Sequence, residues 1–295
     1  MSHRTLERVF VRMLFDPAFV DAVYADAADA LAGLDLTPAE VANIVETDRR
    51  AWGHDPLRRL RTLRTLFDEF KASSTMVMAA TRSMTALDAF FSGREFHAAV
   101  QHRGSLAGAF AAFLERIRVE RAIDVPLLCD VLRLEAMMAR CRRALEAAAM
   151  PAEGVAARTA AIGAGAGLNR TVAFAAGHAV GRFDANVVEA VNAVEKYLFE
   201  VGLMPAVALC DDAPRLGGMP GAAGVPAFLL ALPSGSAVSL MPVDEDYFQL
   251  LDAFSGGARR LGDAFRGVKG VSREDLLTMA ESLVEGGVLE IVSPR

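Results

Sequence analysis

Cysteine is scarce in this chain of 295 residues: there are three, Cys129, Cys141 and Cys210, and no C-x-x-C spacing. An odd number so placed supports neither a disulfide framework nor a zinc site, and it fits a reducing, cytoplasmic compartment. Long apolar runs are also lacking. No stretch reaches the roughly 18 uninterrupted apolar residues that a spanning helix needs, so no membrane association is expected. The mean hydropathy of +0.29 reflects abundant alanine. Residues Met1 to Arg8 bring in charge at once, which argues against a secretory signal.

Histidine is sparse too. His97 and His102 stand five apart and so miss the i, i+4 face used by helical metal ligands, and no H-E-x-x-H occurs. Gly163-Ala164-Gly165-Ala166-Gly167 lacks both a convincing strand before it and a GK[ST] or G-x-G-x-x-G pattern, so it reads as linker. Ser234-Gly235-Ser236 belongs to a hairpin turn and not to a nucleophile elbow. With no catalytic or metal-binding set, the expectation is a binding protein that is not an enzyme and has no cofactor of its own. His178, between a strand and a helix, is the one histidine worth following.

What is present is helix, then a mixed region. Residues 1–149 carry helical apolar spacing almost throughout. Leu6, Val9, Phe10, Met13 and Leu14 form one stripe, and Asp16-Pro17 opens a second helix running through Leu31. Thr37 and Glu40 make a capping box for a helix burying Val41, Ile44 and Val45. Leu60, Leu63, Phe67 and Phe70 mark another helix, and others are expected over about 72–91, 105–120 and 126–149, the last opening at Pro126. Residues 151–168 are small, glycine-rich and without apolar period, as a linker should be.

Beyond the linker, strands are expected at 172–174 and 206–209, with a helix from Asp184 through Tyr197 between them and a loop over 211–225. Ala227–Leu232 and Ala237–Met241 read as a hairpin. Helical stretches at 244–254, 258–266 and 273–285 follow, with Gly286-Gly287 ending the last, then a strand at Val288–Val292. The fold class expected is α+β: a helical domain over 1–150, the linker, and a small winged-helix-like peptide-recognition domain over 169–295.

Charge is uneven. Residues 1–150 hold 20 Lys/Arg and 20 Asp/Glu, and the remainder hold 11 and 17. An acidic second half is a poor match for phosphate backbones, which argues against nucleic acid, though a winged-helix DNA-binding regulator stays as the alternative. Arg49, Arg50, Arg58, Arg59, Arg61 and Arg64 crowd around Trp52. They form either a solvated helix face with local ion pairs or a patch for an acidic partner, Trp and Arg being common anchors. If Ala237, Val238, Ser239, Leu240 and Met241 form an edge strand, their main chain can pair with an extended peptide, and the helix bearing Leu276, Leu277, Ala280 and Leu283 can wall a groove beside it.

Residues 127–145 (LLCDVLRLEAMMARCRRAL) resemble the L-x-D-x-x-R-L-E helix of the proteins that accompany multinuclear non-haem iron oxygenases in modifying ribosomally made peptides, the methanobactin system among them. Thr171 to Val194 is similar to the strand–loop–helix of that family, with Gly177-His178 where a proline is usual. The resemblance implies a non-catalytic subunit that forms a heterodimer with an iron-dependent oxygenase and presents a precursor (leader) peptide to it, the iron lying in the partner enzyme. It carries over Asp130, Arg133, Leu134 and Glu135, with Arg133 and Glu135 as structural or interface residues.

Overall fold

The computed structural model describes residues 3–53, 57–149, 167–202, 213–235 and 237–292. The expected strand at 206–209 and nearly all of the 151–168 linker lie outside them. The chain divides into two compact units, Met1–Leu132 with Val188–Pro220, and Arg133–Val187 with Gly221–Arg295. No helix among the described residues is long and apolar enough to cross a membrane.

The first unit is helical: α1 (His3–Phe15), α2 (Pro17–Ala25), α3 (Ala27–Ala30), α4 (Pro38–Glu46), α5 (Arg58–Glu69), α6 (Lys71–Thr81), α7 (Arg94–Gln101) and α8 (Leu106–Glu120). Caps set many boundaries. The Asp16 carboxylate accepts from Phe19 N–H to start α2, and the Thr37/Glu40 capping box starts α4. The helix expected from Pro17 to Leu31 is interrupted because Asp26 adopts an extended conformation and caps α3 through Asp29 N–H. Along α4 only Ile44 is buried, and Val45 is 40% exposed. The stretch read as one helix over 72–91 ends at Arg82, whose left-handed φ of 49° closes α6, and Met84–Phe90 continue as a 3-10 turn.

Two cores hold this unit. Val9, Met13, Phe19, Val20, Val23, Leu31 and Ile44 pack where α1, α2 and α4 meet. A second core is aromatic: Phe90 is fully buried and its ring lies 5.1–5.6 Å from those of Phe91, Phe96, Phe110 and Phe113.

α9 (Leu128–Ala149) starts two residues later than Pro126 suggests, because Leu127 has a φ of 64° that an α-helix cannot include. Leu128, Val131, Leu132, Leu134, Met137, Ala139 and Cys141 are buried along it, whereas Cys129 is exposed. α10 (Val187–Val201) buries Val187, Ala190, Val194 and Leu198 at helical spacing.

The second unit contains two three-stranded antiparallel sheets, so the class is α+β. β1 (Thr171–Phe174) is central in the order β5-β1-β6, with β5 (Arg259–Arg260) and β6 (Leu289–Val292) at its sides. β3 (Pro226–Ser234) is central in the order β2-β3-β4, with β2 (Ala179–Asp184) and β4 (Ala237–Val243) as edges. The hairpin β3–β4 and the closing strand β6 therefore lie in different sheets. α11 (Glu245–Asp252), α12 (Leu261–Phe265) and α13 (Arg273–Glu285) contribute Leu250, Leu251, Leu261, Ala264, Leu276, Ala280 and Leu283 to one core with Val172, Leu230 and Leu289.

Candidate functional site

Two prolines reveal which side of β4 is open. Pro233 pairs with Val238 and Pro242 with Leu229, and proline has no N–H to exchange, so both pairs are of the non-hydrogen-bonded kind. Ladder bonds to β3 therefore run through Ala237, Ser239, Met241 and Val243. The N–H and C=O of Val238 and Leu240, and the C=O of Pro242, point away from the sheet. None of these groups has a hydrogen-bond partner among the described residues.

The opposite edge is treated differently. By the same alternation, Arg182 of β2 directs its carbonyl outward, and there the Arg133 guanidinium donates to it at 3.1 Å while lying 5.4 Å from the Phe183 ring centroid. α9 crosses close by. A Cβ on Gly181 would meet the Phe183 ring at 2.6 Å and Met137 Sδ at 3.2 Å. A Cβ on Gly177, which also has a φ of 82°, would collide with Leu145 at 2.4 Å, so the position calls for glycine on local grounds. At this edge the outward Arg182 carbonyl is thus capped and α9 runs alongside, whereas among the described residues nothing caps the outward groups of β4, although open edges normally invite pairing.

Beside β4 is a cavity of about 530 Å³. Met241, Pro242 and Val243 form one side, Tyr247 and Leu251 come from α11, and Ser282 and Leu283 come from the end of α13. Met241 is 45% exposed at its mouth. Of the helix residues expected to wall a groove, Leu276 and Ala280 are core, at 3% and 0% exposure, and Leu277 is half-buried. Leu283 reaches the cavity. The wall is therefore built from the end of α13 and from α11, which the sequence pattern did not single out. Asp244, Glu245 and Asp246 leave the end of β4 acidic.

The arginine patch has largely internal work. Trp52 Nε1 donates to the Tyr24 hydroxyl at 3.0 Å, which donates to the Thr47 carbonyl, and the indole packs on Phe10. Arg58 donates to the Leu14 carbonyl and lies over Phe15. Arg59 pairs with Asp88 at 3.2 Å beside Phe91. Arg61 is exposed. Glu135 is 7% exposed, so it offers no contact surface, and Arg133 is engaged with β2 as described.

His178 shares Nδ1 between the Ala175 and Ala176 carbonyls at 3.2 Å, which orients the ring locally. Among the described residues no group of three or more His, Cys, Asp or Glu could hold a metal ion. The carboxylate of Asp184 accepts from Asn186, Ala223 and Gly224 N–H and so pins the loop leading into β3; these bonds, that to Asn186 foremost, hold it below the usual carboxylate range. Its Asp-x-Asn spacing is the sequence signal for that turn.

In the first unit, His97 is 8% exposed, and both ring nitrogens lack a hydrogen-bond partner among the described residues. Burial, then the positive charges of Arg12 and Arg8, lowers it from its ordinary 6.5, against a smaller opposing pull from Asp16. A histidine depressed in the folded state binds fewer protons there than in the unfolded chain, so stability rises with pH. The contribution is intact above pH 6.5 and is lost as pH falls through that value. His97→Phe is expected to flatten the urea-unfolding profile of stability between about pH 5 and 7.

Comparison with protein-family models, with curated proteins and with solved structures found no match to this chain.

Proposed function

We propose that this chain is a non-catalytic binding protein that takes up an extended peptide along the open edge of β4. One observation carries this reading: among the described residues β4 leaves outward N–H and C=O groups unpaired beside an apolar cavity, while at the other edge of the same sheet Arg133 caps the outward Arg182 carbonyl. Strand addition needs both parts, main-chain groups for affinity and a pocket for alternate side chains. A strand laid beside β4 places the side chain opposite Met241 on the cavity side, where about 530 Å³ accommodates a Leu, Met or Phe. Asp244, Glu245 and Asp246 favour a basic residue at that end of the peptide.

The second unit also has winged-helix character in altered order. Helix α11, strand β5, helices α12 and α13 and strand β6 follow one another, and β1, from upstream in the chain, supplies the middle strand. In this reading the hairpin β3–β4 is an addition and not the wing. A duplex DNA role is disfavoured because α13 exposes Glu274, Asp275 and Glu285.

The resemblance at 127–145 makes the peptide a ribosomally made precursor and the downstream enzyme an iron-dependent oxygenase. The test is co-expression of the tagged chain with an oxygenase of that class and the precursor peptide encoded beside it. A stable ternary complex supports the reading. Recovery of the chain with neither partner at micromolar concentration overturns the assignment of partners.

A further inference from the structure

The second half of the chain is acidic, yet five of its eleven Lys/Arg fall within fifteen residues: Arg259, Arg260, Arg266, Lys269 and Arg273, against Asp263 alone. The segment spans β5, α12, the turn and the start of α13. Three of these arginines, Arg260, Arg266 and Arg273, line a second cavity of about 530 Å³ in the same unit, together with the Asp263 carboxylate and the apolar Leu168, Phe265 and Leu276. Phe265 and Leu276 are buried, so the floor is apolar and fixed, while Arg260 and Arg273 are exposed on its rim.

The three guanidinium groups are not equivalent. Arg266 pairs with Asp263 and donates to the Gly262 carbonyl. Arg260 and Arg273 have no ion-pair or hydrogen-bond partner for their side chains among the described residues. Two free forks over an apolar floor suit a single carboxylate on an apolar stem, because a guanidinium binds a carboxylate through paired N–H groups. A longer polyanion fits poorly. It would have to pass Glu274 and Asp275, exposed immediately after Arg273, where like charges repel.

We propose that this arginine-lined cavity is a second binding site, which takes a glutamate or aspartate side chain of an acidic peptide segment, with the neighbouring apolar residue seated on Phe265 and Leu276. The site is separate from the β4 groove in its residues and in the charge it selects. It accounts for the concentration of cations in an otherwise acidic half, and the order of apolar floor and charged rim sets the ligand chemistry.

The probe is a fluorescein-labelled hexapeptide of alternating Glu and Leu, with its Gln-Leu counterpart, inorganic phosphate and a 20-base-pair duplex as separate arms, all titrated into the full chain. The Glu peptide is expected to bind at least tenfold more tightly than the Gln peptide, and Arg260→Ala with Arg273→Ala to lose at least tenfold in affinity. Met241→Asp, which disables the β4 groove, should leave this binding unchanged. Both arginines are exposed, and Arg273→Gln alone serves if the double variant does not fold. Equal binding of the two peptides, or binding that survives the arginine changes, overturns the site. So does loss on Met241→Asp, which assigns the peptide to β4, and so does a preference for phosphate or duplex over the Glu peptide.

Discussion

Met241→Asp is expected to weaken capture of an extended peptide about 30-fold while leaving the fold intact. Met241 is 45% exposed at the mouth of the β4 cavity, so the free protein loses little packing, within about 0.5 kcal/mol for a surface change. In the complex the same position abuts the buried apolar side chain of the added strand. A carboxylate there must be desolvated without a partner, at a cost of about 2 kcal/mol by the mutational scale for unpaired polar groups. At about 1.4 kcal/mol per factor of ten, that is roughly 30-fold. Fluorescence anisotropy with a peptide selected from a random display library measures it, and unchanged melting behaviour separates lost binding from lost fold. Undiminished affinity would place the peptide elsewhere.

Phe90→Ala has the largest expected effect on stability. The ring is fully buried and meets four other phenylalanine rings. Truncating such a residue removes transfer energy and leaves a cavity, at a cost of about 3–5 kcal/mol. Domains are stable by about 5–15 kcal/mol in total, so this is a large share. With about 2–4 °C per kcal/mol for a unit of this size, calorimetry should show a melting transition lowered by about 10 °C. Phe199→Ala is the contrast. At 82% exposure, Phe199 should shift stability by no more than about 0.5 kcal/mol.

Local chemistry was readable in the sequence wherever a residue acts on its own neighbours. The Thr37 capping box, the Ser272 cap of α13 and the stop at Gly286-Gly287 all set boundaries where the pattern puts them. The hairpin β3–β4 was legible from Pro233 to Gly235 and its flanking apolar runs. What escaped depended on partners far away in sequence. β2 has no clean alternation, because one of its six residues is the glycine that lets α9 approach, and only the pairing with β3 makes it a strand. α7 is short and was invisible beside the 3-10 turn before it.

The candidate site divides in the same way. Residues 237–241 were legible as a strand from local pattern, and their position at a sheet edge is a matter of topology. That Leu276 and Ala280 face the core while Leu283 reaches the cavity follows from tertiary packing along a single helix face, which periodicity cannot subdivide. The arginines at 58 and 59 looked like a surface patch in sequence. Their aromatic, carbonyl and carboxylate partners lie 29 to 44 residues away, and those contacts turn them inward.

The central claim is that a peptide adds as a strand to β4, and amide hydrogen exchange tests it at single residues. In the free protein the N–H groups of Val238 and Leu240 should exchange quickly, while those of Ser239 and Met241, bonded to β3, exchange slowly. With a selected peptide bound, Val238 and Leu240 should become protected in step with occupancy. Binding that leaves both amides exchanging at their free rates would contradict strand addition at this edge.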